Sequence, residues 1–488
     1  MKVHDAYISD AVEILQNLFV DSAELAAYLT PLVFLKYLSI LREQGSEIVK
    51  LPNTSLETVT LNFGKQFDLF SNIRKFSVPD IGAEINSSLI GIEHSNPSDM
   101  GKIFSGIDYC HPRLGIEPAR SNVLRTVISC VENIDNNILK EAALSGVSLT
   151  DLFFYSSSGS RFFVEFTTPH DVAELLTSIV KPKDNDSVYD GACGSGQLLL
   201  SFLRDPGKKG VRYTRAYGSE KNYLSWMVAR LNFLFCGFHP ADIILEDSIG
   251  KFSNQSQHIS QKYYDVILSN PPKSQKEWGY SAETSRSFEK LGFGIPSKSN
   301  GDFAFVLSMM SHLNPENGRM AIIVPDGALF RQGPEHLIRK NLTAFDKISA
   351  IISLPQRILY NYPLGTSILV LRSGKSDNSI RMIDARNRGR VGKFRNELPK
   401  ESIELIKSAL NSDDEIDNFS RIVSFEEIQH HDFALLPQHY IGSEEITEKD
   451  DLSLLLLKRR RLQDSLEEIN HELDFLMAGA LESASKII

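Results

Sequence analysis

The chain has 488 residues, 42% of them hydrophobic, and a formal charge of −10 from 52 Lys and Arg against 62 Asp and Glu. That length exceeds one ordinary hydrophobic core and implies roughly two or three domains. The acidic balance excludes a protein that coats duplex nucleic acid by bulk charge alone, because such binding needs a concentrated excess of cations, although local basic patches can still hold phosphate. No run reaches about 18 uninterrupted apolar residues and Met1-Lys-Val-His-Asp5 has no apolar signal core, so a cytoplasmic protein without a membrane partner is expected. Cys110, Cys130, Cys193 and Cys236 are scattered without metal-ligand spacing and read as reduced thiols, with no metal site expected.

Residues 1–150 carry helical spacing, as in Ala11, Ile14, Leu15, Leu18 and Phe19 and again in Leu25, Tyr28, Leu29, Leu32, Leu35 and Leu38, which predicts a helical N-terminal domain. From 151 to about 375 short β-rich runs alternate with longer helical segments, the pattern of an α/β fold with a parallel sheet covered by helices. The predicted strands are Ser187–Asp190, Ala216–Glu220, Asp242–Glu246, Tyr264–Ser269, Arg319–Val324, Ile348–Leu354 and Ser367–Leu371. The stretch from Lys273 to Asn300, rich in Ser, Lys and Gly, reads as a long functional loop. Over 376–445 the sheet pattern fades into a basic segment, where Arg381, Arg386, Arg388, Arg390, Lys393 and Arg395 are offset only by Asp384; these are candidate DNA-backbone contacts or simply a solvated basic loop. In 446–488, Leu455, Leu462, Leu466, Ile469, Leu473 and Leu476 predict an amphipathic tail helix, from Leu452 to Met477, suited to docking on a partner or on the same chain.

The run Val188-Tyr-Asp190 followed by Gly191-Ala-Cys-Gly-Ser-Gly196 is strand, glycine turn, helix. Glycines there let backbone approach a ligand and aim helix amides at it. A dinucleotide fingerprint wants a third glycine where Leu199 stands, so that class is disfavoured. Asp190 suits the ammonium of S-adenosylmethionine (SAM), and Gly194, Ser195 and Gly196 form the turn around it. Glu220, closing the next strand, suits ribose hydroxyls, and Asp247 with Ser248, closing the third, suits an adenine edge.

Some eighty residues after the glycine turn comes Asn270-Pro271-Pro272-Lys273. The lone pair of an aromatic exocyclic amine is delocalised into its ring, and two carbonyl acceptors, the Asn270 side chain and the Pro271 main chain, can draw the nitrogen toward tetrahedral geometry so that it attacks a methyl group in line. A base inside a duplex must be flipped out and stacked to reach such a pocket. Lys273 has no flat face for stacking, although its ammonium suits a base or phosphate; Trp278, Tyr280 and Phe293 are the nearby alternatives, whose other reading is ordinary loop packing.

These motifs, with Tyr28-Leu-Thr-Pro-Leu-Val-Phe-Leu-Lys-Tyr37, Glu165-Phe-Thr-Thr-Pro169, Gly301-Asp-Phe-Ala-Phe305, Gly318 to Phe330 and Ile352-Ser-Leu-Pro355, resemble the methylation (M) subunits of type I restriction-modification systems, of the N6-adenine DNA methylase family, over most of the chain. The resemblance implies a Rossmann-like, SAM-dependent methyltransferase domain with a seven-stranded sheet whose last strand is antiparallel, and adds Thr168 and Pro169 to the cofactor site. It also implies a subunit that pairs with a second M copy and a specificity (S) subunit on double-stranded DNA, joined by a restriction (R) subunit, and that methylates a flipped adenine. Gly191, Gln197 and Lys273 depart from the family, which usually has Pro, often Gly, and an aromatic there. The departure at Lys273 keeps open a weak or inactive SAM- or DNA-binding assembly subunit; an amino methyltransferase of RNA or protein, or an N4-cytosine methylase, is a further alternative.

Overall fold

The computed structural model describes residues 6–19, 21–42, 47–51, 59–64, 69–75, 79–156, 168–204, 215–240, 242–253, 263–360 and 362–442. One compact unit runs from Met1 to Tyr440. The tail helix expected over 446–488 lies outside the described residues.

The unit is organised around a nine-stranded sheet: β1 (Ser187–Asp190), β2 (Arg215–Glu220), β3 (Ile243–Leu245), β4 (Val266–Ser269), β5 (Arg319–Pro325), β6 (Ile348–Ser353), β7 (Thr366–Arg372), β8 (Ser379–Asp384) and β9 (Ser420–Ser424). Their spatial order is β9-β8-β6-β7-β5-β4-β1-β2-β3. Strand β7 runs antiparallel to both β5 and β6, β9 runs antiparallel to β8, and the other pairs are parallel. Every residue of β4 and β5 is buried, which is why both read as continuous apolar runs rather than alternating ones. The direction of winding reverses between β1 and β4, so a crevice opens at the carboxyl ends of these two strands.

Seven of the nine strands coincide with the expected set to within two residues at each end. The sheet nevertheless continues past 375, contrary to expectation. Strand β8 pairs with β6 through Arg381–Asp384, and β9 covers its far edge, with Ile380, Met382 and Ile383 buried beneath the nominally basic segment. The expected loop 273–300 also contains a helix, Ala282–Leu291. Ser281 caps its start, accepting from Thr284 N–H at 3.0 Å, and Gly292 closes it at φ 78°.

The N-terminal segment is mostly helical, with a small antiparallel pair, Ile48–Lys50 against Thr60–Asn62. Its helix Ser22–Leu41 is long and apolar enough to cross a membrane, but 67% of that apolar stretch is buried within the protein. Tyr37 packs on Phe235 of the helix Tyr223–Phe235, ring centroids 4.7 Å apart. Buried side chains from both the N-terminal helices and one face of the sheet join in one continuous cluster running from Ile8 to Phe419. Asn232, fully buried, fastens the join: its side-chain oxygen accepts from Leu149 N–H at 3.1 Å, and its amide donates to Thr150 Oγ1 at 3.2 Å and to the Ser195 carbonyl at 3.0 Å. The helix Leu149–Ser156 therefore crosses the expected boundary at 150 rather than lying beside it.

Candidate active site

A cavity of about 690 Å³ lies at the carboxyl ends of β1 to β4. On one side, β1 delivers Asp190, whose Oδ1 accepts from Ala192 N–H at 3.0 Å and from the Ser269 hydroxyl at 2.7 Å. Both bonds fall on one oxygen, and Asp190 lines the cavity. Burial, opposed by those two bonds, pushes the Asp190 carboxyl up to about 7. Glu220, at the end of β2, pins the turn by accepting from Gly194 N–H at 2.9 Å and from Asn222 N–H at 2.7 Å, and burial raises its carboxyl as well. Beyond β3, Asp247 pairs with Lys221 at 2.8 Å and accepts from Ile249 and Gly250 N–H, each at 3.1 Å. Burial pushes Asp247 up, but Lys221 and these amides outweigh it and hold the carboxyl below its ordinary range.

Of the expected cofactor ligands, Thr168, Pro169, Asp190, Gly194, Glu220, Asp247, Ser248 and Asn270 all line the cavity. Ser195 and Gly196 do not. Ser195 gives its carbonyl to Asn232, and Gly196, at φ +79°, sits where an added Cβ would meet the Phe233 ring at 3.0 Å. Their work is to seat the helix Gln197–Leu203 against the helix Tyr223–Phe235.

On the other side of the cavity, Asn270 donates from its amide to Thr168 Oγ1 at 3.2 Å, which turns its oxygen inward. That oxygen and the Pro271 carbonyl converge on one nitrogen: the Lys273 ammonium donates to both, at 2.6 Å each. Lys273 therefore does not reach out toward a base or phosphate but folds back onto its own motif. Burial pushes its amine down to about 7, against the opposing pull of Asp302 and Asp190. The loop is held from behind, where Ser274, at φ 54°, donates its N–H to Asp302 Oδ1 at 2.8 Å. Asp302 in turn pairs with Arg331, which also pairs with Glu335, both at 2.7 Å.

Among the stacking candidates Trp278 lines the cavity, only 3% exposed, with its indole N–H on the Ser297 carbonyl at 2.9 Å. Tyr280 packs edge-on against Trp278 outside the cavity, and Phe293 packs on Phe345. Two tyrosines that sequence reasoning missed, Tyr360 and Tyr362, line the cavity from the β6–β7 connection, with Phe305 nearby. The available signal was a pair of aromatics between two predicted strands, but no spacing rule ties them to a motif ninety residues earlier.

The basic segment divides. Arg381 is buried in β8, and Arg395 is locked on both oxygens of Asp171 at 2.6 and 2.9 Å, so Arg395 is a structural clamp rather than a phosphate contact. Arg386 is paired with Asp384, and Arg388 stacks over Phe419, yet both remain exposed, as do Arg390 and Lys393.

Strand order, switch-point cavity and acids at three successive strand ends define a methyltransferase-type α/β protein. The donor set fits a cationic nucleoside such as SAM: a buried carboxyl lining the cavity for an ammonium, an acid suited to ribose, and an Asp-Ser pair suited to an adenine edge. The chain belongs to the N-6 DNA methylase family, whose model matches residues 154–449. It is 28% identical to the type I restriction enzyme MpnII methylase subunit of Mycoplasma pneumoniae, over 83% of this chain and 77% of that one. It is 31% identical to the MjaVIII methylase subunit of Methanocaldococcus jannaschii, over 63% of this chain and 56% of that relative. Among solved structures, the methyltransferase subunit of a type I restriction-modification system from Streptococcus thermophilus superposes with a TM-score of 0.74 at 25% identity, covering 89% of this chain and 98% of that one.

Proposed function

We propose that the chain is the methylating subunit of a type I restriction-modification complex and transfers a methyl group from SAM to the N6 amine of an adenine flipped out of DNA. The observation that carries this reading is the convergence of Asn270 Oδ1 and the Pro271 carbonyl on a single amine nitrogen. Two acceptors on one nitrogen take its hydrogens and leave its lone pair pointing away from them, into the cavity. SAM supplies an electrophilic methyl on sulfur when bound. Asp190, Glu220 and Asp247 with Ser248 hold and orient it, and Trp278, Tyr360 and Tyr362 wall the space beside the amine where a flat base would stack. Arg386, Arg388, Arg390 and Lys393 offer exposed charge to the DNA backbone. The acidic chain leaves most of the DNA grip and the choice of sequence to an S subunit, with a second M copy completing the clamp and an R subunit joining in the full assembly.

The test is base-resolved methylation of DNA from cells expressing the chain with and without its S subunit, alongside Asn270→Ala. N6-methyladenine at one motif, dependent on the partner and reduced at least about a hundredfold in the variant, is the expected result. The second reading, an assembly subunit without turnover, is favoured by the occupation of both acceptors by Lys273. A stable, SAM-binding complex that leaves no mark on DNA would establish it.

A further inference from the structure

We propose that Lys273 is itself a methyl acceptor: its ε-amine occupies the seat built for the target amine, and the chain methylates it when no base is present. This rests on the reading of the cavity as a SAM-dependent amine site. The reasoning is local. The seat is defined by two oxygens, Asn270 Oδ1 and the Pro271 carbonyl, and the Lys273 nitrogen lies 2.6 Å from each, the full set of contacts a substrate amine would make there. The lysine belongs to the same short loop, and the Ser274–Asp302 bond fixes that loop, so the amine is presented without any approach or flipping step. Lys273 and Asp190, the carboxyl on the donor side, line the same cavity, and Asp302 and Asp190 both favour the charged form of the amine.

Chemically the lysine is a stronger nucleophile than adenine once it is neutral, because its lone pair is not shared with a ring. Burial lowers its proton affinity until about half the molecules are neutral near pH 7. The neutral nitrogen gives its two hydrogens to the two oxygens and its lone pair to the methyl carbon. A nitrogen–carbon bond forms, the carbon–sulfur bond breaks with its electron pair staying on sulfur, and the resulting secondary ammonium releases a proton to water. One methyl is the expected limit, since a second would leave a single hydrogen for two acceptors. A target base must displace this internal amine before it can be methylated.

The experiment uses the full-length chain without DNA, incubated with methyl-labelled SAM, digested and read by mass spectrometry, with SAM binding measured calorimetrically on the same samples. The expected result is one labelled methyl on Lys273, accumulating about tenfold faster at pH 8 than at pH 6, as the neutral fraction of a group titrating near 7 requires. Asn270→Ala should slow it at least tenfold, and Lys273→Arg should abolish it. Without any donor, competitive acetylation across a pH series should give Lys273 a midpoint near 7; a midpoint above 10 for Lys273 would overturn the seat. SAM binding with Lys273 unmodified would overturn self-methylation and leave the donor site standing. Absence of SAM binding would overturn both.

Discussion

Asp190 carries a conflict that its neighbours relieve only in part. It is 1% exposed and accepts two hydrogen bonds, yet burial still pushes its carboxyl to about 7. A carboxyl whose folded value rises from the ordinary 3.8 to about 7 holds its proton more tightly folded than unfolded, so stability falls as pH rises through that window, by on the order of 4 kcal/mol in full. Asn cannot ionise but can accept the same two bonds. Asp190→Asn is therefore expected to raise the melting temperature of the ligand-free chain at pH 8 by a few degrees, and by less than half as much at pH 5, as scanning calorimetry would show. The same substitution removes the charge that suits an ammonium. Wild-type affinity for SAM should fall as pH drops from 8 to 6 and Asp190 takes up its proton, and the variant should bind more weakly with a flat pH profile. A variant that binds SAM as tightly as the wild type would remove Asp190 from the donor site.

At the scale of elements, the helix His170–Val180 begins beside Thr168 and Pro169 at the cavity, and its position depends on a distant clamp. Asp171 in its first turn accepts from Arg395 on both oxygens and from Leu398 N–H at 2.7 Å. Arg395→Ala would leave the partly buried Asp171 without its cation, which costs up to about 3 kcal/mol and loosens the start of the helix. Chemical denaturation should show that loss, and SAM should bind less tightly. Arg390→Glu and Lys393→Glu behave oppositely. Their side chains are exposed, so stability should be unchanged within about 0.5 kcal/mol, while the partner-bound complex should hold DNA less tightly with a shallower salt dependence. A fall in melting temperature in these two variants as large as that of Arg395→Ala would contradict the division of the basic segment.

For the molecule as a whole, the N-terminal helices and the sheet share buried groups rather than an interface of separate surfaces. The fully buried Asn232 serves Leu149, Thr150 and Ser195 at once, and Tyr37 packs on Phe235 across the same join. A fragment beginning at residue 157 would expose the helix Tyr223–Phe235 and leave Asn232 without Leu149 and Thr150, a penalty of about 1–3 kcal/mol for the polar group alone, before the lost apolar burial. Such a fragment should aggregate or lack a cooperative transition, whereas the full chain should unfold residues 1–440 in one step by circular dichroism. An independently folded fragment would restore the separate helical domain.

The strands β1 to β7 and the two motifs were legible because they depend on local information: buried parallel strands need continuous apolar runs, glycine turns need glycines, and an amine seat needs Asn-Pro next to each other. The helix Ala282–Leu291 was missed, although Ser281 and Gly292 mark its ends, because the Ser-, Lys- and Gly-rich stretch around it reads as loop when caps are given less weight than content. What only tertiary structure decided is pairing between distant residues. Whether Arg395 faces Asp171 or DNA, whether Tyr362 or Phe293 lines the cavity, and whether the sheet stops at seven strands or takes two more all depend on which surfaces meet, and a charged residue such as Arg381 in β8 hides that choice. Lys273 shows the limit most plainly: its identity marked it as a misfit for stacking, but only the fold of its loop put its amine on Asn270 and Pro271.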